Sequence, residues 1–78
     1  MQVVINGKER DFPLLGPTAT VMDLIGALEL KGDRVALERN GAIVRRDAWA
    51  ATPIQDQDKF EIVHFVGGGG PGDTSRLA

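Results

Sequence analysis

Four consecutive glycines, Gly67–Gly70, follow a strongly apolar stretch near the end of the chain. Glycine has no Cβ, so such a run can enter a narrow opening and adopt nearly any backbone conformation. A strand that leads directly into this run can hold a thin strip of backbone away from a rigid body. We therefore interpret the glycine run, rather than any side chain, as the working part of the molecule.

Side chains that carry out catalysis are scarce. The sequence has no cysteine and no tyrosine, and its single histidine and single serine are His64 and Ser75. Nucleophilic catalysis needs a nucleophile beside a positioned base, and a zinc site needs several nitrogen, sulfur or carboxylate ligands. We predict a protein that is not an enzyme, with no catalytic residues and no bound cofactor or metal.

Charge and hydropathy restrict the location and the partners. Nine Lys and Arg against eleven Asp and Glu give the 78 residues a formal charge of −2, whereas nucleic-acid-binding domains are usually basic. No apolar run approaches the ~20 residues of a membrane span. Met1–Ile5 lacks the basic and long apolar regions of a signal peptide. We expect a cytoplasmic protein that binds neither nucleic acid nor membrane.

Two Asn-Gly pairs predict β-hairpins. Asn6-Gly7 separates strands expected at 1–5 and 8–12, and Asn40-Gly41 separates strands expected at 34–39 and 42–44. Both central positions of a type I′ turn require positive φ, which Asn and Gly tolerate.

One main helix is predicted between the hairpins. Thr20 and Asp23 have the spacing of a capping box, and an apolar stripe follows at helical spacing: Val21, Leu24, Ile25 and Leu28. Gly32 is typical of a left-handed stop after the helix. Gly26 inside the helix predicts a close packing contact at that point.

The last third of the chain completes the fold. A helical turn at 45–50 is expected to lay Trp49 against the edge of the core, and a final strand is expected at 59–66. Because the first and last strands are the most apolar, we expect the last to lie centrally and parallel to the first. This order predicts an α+β fold of the β-grasp (ubiquitin-like) type, a mixed four- to five-stranded sheet with one main helix packed on one face.

The final strand has two unlike faces, since side chains alternate along a strand. If Phe60 and Ile62 face the helix, Val63 and Phe65 point outwards, with no second helix to cover them. An exposed apolar pair of this kind, continued by Val66 beside the glycines, predicts a partner-docking patch.

Several segments match one family of small proteins. They are the opening 1–8, the helix start 20–24, the segment 35–44 with Arg46 and Trp49, and, most specifically, the ending 58–69. On these residues the chain resembles the ThiS sulfur carriers of thiamine biosynthesis, within the wider ThiS/MoaD class of ubiquitin-like carriers. The resemblance covers Met1 to about Gly69.

The resemblance implies a chemistry for the tail. An E1-like, ThiF-type adenylyltransferase uses ATP and Mg to adenylate the terminal glycine carboxylate, and sulfur from a persulfide donor then gives a thiocarboxylate. A ThiG-type thiazole synthase takes that sulfur to form the thiazole ring. Aligned from Asp58, the reactive terminus is Gly69, with Gly68 and Gly70 as alternatives, and Gly67 and Gly68 form its approach.

The end of the chain departs from the family, whose members terminate in Gly-Gly, whereas here residues 70–78 follow. We divide the chain into a β-grasp domain at 1–66, a flexible glycine tail at 67–70, and a disordered extension at 71–78. Exposed polar termini are preferred sites of cleavage, and the resemblance implies removal of the extension by a JAMM-type metalloprotease.

Other functions stay open at this point. The chain is also compatible with a related carrier for molybdopterin, or for cysteine or homocysteine synthesis. The segment 40–44 with Arg46 and Trp49 favours the thiamine pathway, whereas the extension favours the amino-acid pathways. A ubiquitin-like binding module whose tail does no chemistry is the alternative from another class.

Overall fold

A mixed sheet forms the body of the protein in the computed structural model, which describes residues 1–65 and the backbone of 74–76. In chain order its elements are β1 (Gln2–Ile5), β2 (Lys8–Asp11), α1 (Val21–Ala27), β3 (Val35–Arg39), β4 (Ala42–Ile43), β5 (Lys59–Phe65) and β6 (Thr74–Arg76). Two 3-10 turns, Gly32–Arg34 and Arg46–Ala51, flank the second hairpin. Val66, the predicted glycine tail 67–70 and extension residues 71–73, 77 and 78 lie outside the described residues.

The strand order β2-β1-β5-β3-β4 places β5 in the centre. It runs parallel to β1, with Ile5 opposite Phe60, and antiparallel to β3, from Arg39 opposite Phe60 to Val35 opposite His64. Helix α1 buries its apolar stripe on one face of this sheet. The β-grasp fold predicted from the sequence is therefore confirmed, as is the central position of the strand that follows Asp58, parallel to β1.

Both hairpin turns have the predicted backbone. Asn6 and Gly7 have φ of 50° and 84°, and Asn40 and Gly41 have φ of 52° and 88°. Positive φ at both central positions is the type I′ geometry, whose twist matches that of the flanking strands. The two turns fix the registers of β1 with β2 and of β3 with β4.

The start of α1 is as predicted, but its end is not. Asp23 accepts a hydrogen bond from the Thr20 N–H at 2.9 Å, and the Asp23 N–H donates to Thr20 Oγ1 at 3.4 Å, which completes the capping box. The helix ends at Ala27, and Glu29, not Gly32, takes the left-handed conformation with φ of 58°.

The predicted packing contact at Gly26 is also wrong, because nothing lies within 4 Å of a Cβ built there. The close approach is at Gly32, where a Cβ would lie 3.2 Å from the Trp49 ring. Trp49 is only 1% exposed, so it fills the core instead of lying at its edge. Its indole N–H donates to the Val44 carbonyl at 2.9 Å, which satisfies the ring's polar atom inside the core.

The core lies between α1, the 3-10 turn that carries Trp49 and the inner face of the sheet. Its buried apolar residues are Val3, Ile5, Ala19, Val21, Leu24, Ile25, Val35, Leu37, Trp49, Ile54, Phe60 and Ile62. Strands β1, β3 and β5 contribute alternate residues, as the two-residue period of a strand requires.

Strand β6 lies in the segment for which disorder is predicted. Its three residues pair antiparallel with β5, with Arg76 opposite Val63, Ser75 opposite His64 and Thr74 opposite Phe65. The backbone of Thr74–Arg76 therefore differs from that prediction.

Candidate functional site

The glycine run continues from the end of β5, so the candidate site is built around that strand. Phe60 and Ile62 are 1% and 0% exposed on the helix side, whereas Val63 is half-buried and Phe65 is 42% exposed on the outer side. The predicted orientation of these side chains is thus found. Docking by Val63, Phe65 and Val66 stays a prediction, with Val66 outside the described residues.

The predicted reactive positions also lie outside the described residues. They are Gly69, its alternatives Gly68 and Gly70, and the approach residues Gly67 and Gly68. What the structure describes is the platform from which they extend: β5, its neighbours in the sheet and the contacts that hold it.

An apolar groove of about 100 Å³ crosses the outer face of β3, β4 and β5. We call it the outer-face groove, and it is lined by Ala36, Leu37, Glu38, Ile43, Glu61 and Val63. Ala36 lies opposite Val63 in the β3–β5 ladder, and Ile43 on β4 is 75% exposed. The groove widens the predicted Val63–Phe65 patch into a surface that spans three strands.

Sequence reasoning missed Ile43 and Ala36 as parts of this surface. Their signal was present in the Asn40-Gly41 turn, because a two-residue turn fixes the register and hence the face of each strand residue. That register puts Ile43 opposite Glu38, and β5 puts Glu61 opposite Glu38 from the other side. Two carboxylates therefore flank the apolar groove.

The base of β5 is held by a buried carboxylate. The Asp58 side chain is 8% exposed and accepts hydrogen bonds from Arg39 Nε at 2.7 Å, Asn40 Nδ2 at 3.0 Å and the Gln55 N–H at 2.8 Å. Asn40 also accepts from the Lys59 N–H at 2.9 Å. Burial raises the pKa of Asp58, but the hydrogen bonds from Asn40, Gln55 and Arg39 outweigh it, so the pKa lies below its ordinary 3.8.

A second asparagine holds β5 farther along. The Ile62 N–H donates to Asn6 Oδ1 at 2.8 Å, and Asn6 Nδ2 donates to the Ile62 carbonyl at 3.1 Å. The side-chain amide of Asn6 thus takes the place of a strand partner beyond the last β1–β5 pair, which is Ile5 with Phe60. Both Asn-Gly turns position β5 as well as reversing the chain, and the glycine run consequently extends from a strand with a fixed position.

Two other types of site are missing from the part of the chain that the structure describes. No group of three or more His, Cys, Asp or Glu there could hold a metal ion. No helix within it is long and apolar enough to cross a membrane.

Comparison with known proteins identifies the family. The model of the ThiS family matches residues 3–69, which run from within β1 through β5 to Gly69, the third glycine of the run. The chain belongs to the ThiS family. The family predicted from the sequence is therefore confirmed.

Individual relatives agree with this assignment. The chain is 38% identical over 65 residues to the sulfur carrier protein ThiS of Bacillus subtilis, a match that covers 83% of this chain and 96% of that protein. It is 45% identical over 69 residues to a thiazole synthase of Paramagnetospirillum magneticum, covering 88% of this chain. The chain spans only 20% of the length of that synthase.

A solved structure supports the fold. The crystal structure of the thiamine biosynthesis protein ThiS from Geobacter metallireducens has a TM-score of 0.74 and 33% sequence identity to this chain. The match covers 88% of this chain and all of that one. The fold of this chain is thus similar to that of a known ThiS structure.

Proposed function

We propose that this chain is a sulfur carrier for thiamine biosynthesis and acts as a protein substrate, not as an enzyme. The observation that carries the proposal is the way in which side chains hold β5 in position. A buried carboxylate fixes the strand at Asp58, an asparagine fixes it at Ile62, and the strand then leads into the glycine run. A rigid body that presents a side-chain-free backbone suits delivery of a terminal carboxylate to other enzymes.

The carboxylate that we propose to react is that of Gly69, once residues 70–78 have been removed. An E1-like, ThiF-type enzyme with Mg-ATP would join it to AMP with loss of pyrophosphate. A persulfide sulfur would then displace AMP and, after cleavage of the sulfur–sulfur bond by a thiol, leave a thiocarboxylate. Glycine suits both sites because no Cβ obstructs the acyl carbon.

The outer-face groove and Phe65 are proposed to dock these partners. Ordering a flexible tail costs about 1–2 kcal/mol for each residue fixed, and burial of an apolar surface can offset that cost. Ile43 and Phe65 supply the exposed apolar area, while Glu38 and Glu61 flank it with carboxylates. The complementary partner surface is therefore apolar, with adjacent lysine or arginine side chains.

A thiazole synthase is the proposed consumer of the sulfur. The similarity to the Paramagnetospirillum magneticum thiazole synthase supports this choice, since a stretch like this chain occurs within that protein. Removal of the extension by a JAMM-type metalloprotease in the cytoplasm is also proposed, because adenylation of Gly69 requires a free carboxylate.

Intact mass spectrometry tests the proposal. A chain ending at Gly69, incubated with the activating enzyme, Mg-ATP and a persulfide donor, should gain the mass difference between sulfur and oxygen. Chains ending at Gly68 and Gly70 identify the reactive terminus, and a Gly69→Ala terminus is the control for steric access. No gain with any of the three glycine termini would refute the carrier function.

A second step distinguishes the pathways. The thiocarboxylate chain, mixed with thiazole synthase and its other substrates, should lose its sulfur as the thiazole forms. Formation of the thiocarboxylate without its consumption by that enzyme would assign the carrier to a related pathway instead.

A further inference from the structure

Strand β5 extends beyond the end of β1, its partner on one edge. Strand β1 pairs with β5 only at Lys59 and Phe60, and the chain turns away at Asn6-Gly7. Strand β3 covers the opposite edge of β5 from Phe60 to His64. The edge on the β1 side therefore continues beyond the end of β1.

The hydrogen bonds show which residues face that edge. The Phe60 carbonyl accepts from the Asn6 N–H at 2.9 Å, and the Ile62 N–H and carbonyl bind the Asn6 side chain. Backbone groups of alternate residues point to the same edge of a strand. The next residue whose N–H and carbonyl point to the β1 side is His64, which lies beyond the end of β1.

Strand β6 lies at this position. Ser75 is opposite His64, and β3 already occupies the other edge at His64, so β6 takes the β1 side. Strand β6 therefore follows β1 along the same edge of β5, but it runs in the direction opposite to β1. The connection between β5 and β6 is residues 66–73, which contain the glycine run.

We propose that the edge of β5 at Val63–Phe65 is a strand-acceptor site, and that Thr74–Arg76 is its occupant in the uncut chain. Unpaired strand edges readily bind another extended segment. Cleavage after Gly69 separates β6 from the body, so it exposes this backbone edge in the same event that creates the new terminus. The cut and uncut chains then differ in an interaction surface as well as in their carboxylates.

Amide hydrogen exchange tests the proposal without any sulfur chemistry, so its failure is separable from that of the carrier function. The full chain is compared with a chain ending at Gly69, both at concentrations where sedimentation shows monomers. The His64 amide should exchange roughly fivefold faster, or more, in the shorter chain, because it loses its hydrogen-bond partner. The Val63 amide, which faces Ala36 on β3, should keep its rate.

A matched pair of variants at one position isolates the backbone contact. Ser75→Pro removes the N–H opposite His64 and should reproduce the faster exchange, whereas Ser75→Ala keeps that N–H and should not. Both changes lie outside the β-grasp body and leave its core intact. Equal His64 exchange in the full and shortened monomers, or in the two Ser75 variants, overturns the proposal.

Discussion

The two ends of β5 differ in burial and in hydrogen bonding. At its base, Asp58 is buried and bonded to Arg39, Asn40 and the Gln55 backbone. At its other end, Phe65 is 42% exposed and faces outwards. The base of the strand is therefore bonded into the fold, whereas its far end presents an apolar side chain to solvent. Substitutions at the base should therefore reduce stability, and those at the far end should reduce binding.

The largest effect is expected from Asp58→Ala. The change removes the buried acceptor shared by Arg39, which is half-buried, and Asn40, which is exposed, and should lower the free energy of unfolding by about 2–3 kcal/mol. Urea denaturation measures it. Asp56→Ala is the matched control, since this exposed carboxylate also accepts a backbone N–H, from Gln2 at 2.7 Å. We expect less than about 1 kcal/mol there, and equal losses at the two positions would contradict the assigned role of Asp58.

The two Asn-Gly turns allow a finer comparison along β5. Aspartate tolerates the left-handed conformation, so Asn→Asp changes the side chain with little backbone strain. Asn40→Asp would place a second carboxylate against Asp58 Oδ1, in place of a donor at 3.0 Å. Asn6→Asp removes the donor to the Ile62 carbonyl and leaves the carboxylate far from Asp58 in sequence. We expect losses of about 2 and about 1 kcal/mol respectively, and the reverse order in urea denaturation would disprove the comparison.

The acid dependence of stability should also come from the base of β5. The pKa of Asp58 is below 3.8 in the folded chain and ordinary in the unfolded chain. Its contribution is therefore fully present above pH 3.8 and is lost as the pH falls through the lower, folded pKa. Asp58→Asn should make the unfolding free energy less sensitive to pH below 3.8, as measured by urea denaturation across a pH series.

Part of the dependence should survive in Asp58→Asn, because the hydrogen bond from the Gln2 backbone, together with that from Gln57, lowers the pKa of Asp56. Asp56→Asn is the comparison, and adding it to Asp58→Asn should remove that remaining part. An acid dependence of Asp58→Asn identical to that of the parent would show that Asp58 does not contribute.

What could be predicted from the sequence was local. The capping box and both turns follow from residues within four positions of each other, and alternation assigned Val63 and Phe65 to the outer face. The second role of Asn6 could not be found in this way, because its partner Ile62 is 56 residues away. Trp49 was misplaced for the same reason, since its burial depends on the chain closing around it. Gly32 was read as a helix stop, although it gives the Trp49 ring room to pack.

The smallest change in stability is expected at the far end of β5, where the functional effect should be clear. Phe65→Ala removes a side chain that is 42% exposed, so it should lower the unfolding free energy by about 1 kcal/mol or less. If Phe65 anchors a partner, the same change should weaken binding of the activating enzyme about tenfold. Calorimetric titration of the chain ending at Gly69 measures that affinity.

Leu14→Ala is the matched control for Phe65→Ala. Leu14 is 96% exposed in the segment between β2 and α1, so its removal subtracts apolar surface away from β5. The affinity of the Leu14→Ala chain for the activating enzyme should equal that of the parent chain. A tenfold loss at Leu14 with none at Phe65 would place the docking surface at the segment between β2 and α1, and β5 would then be a support for the tail alone.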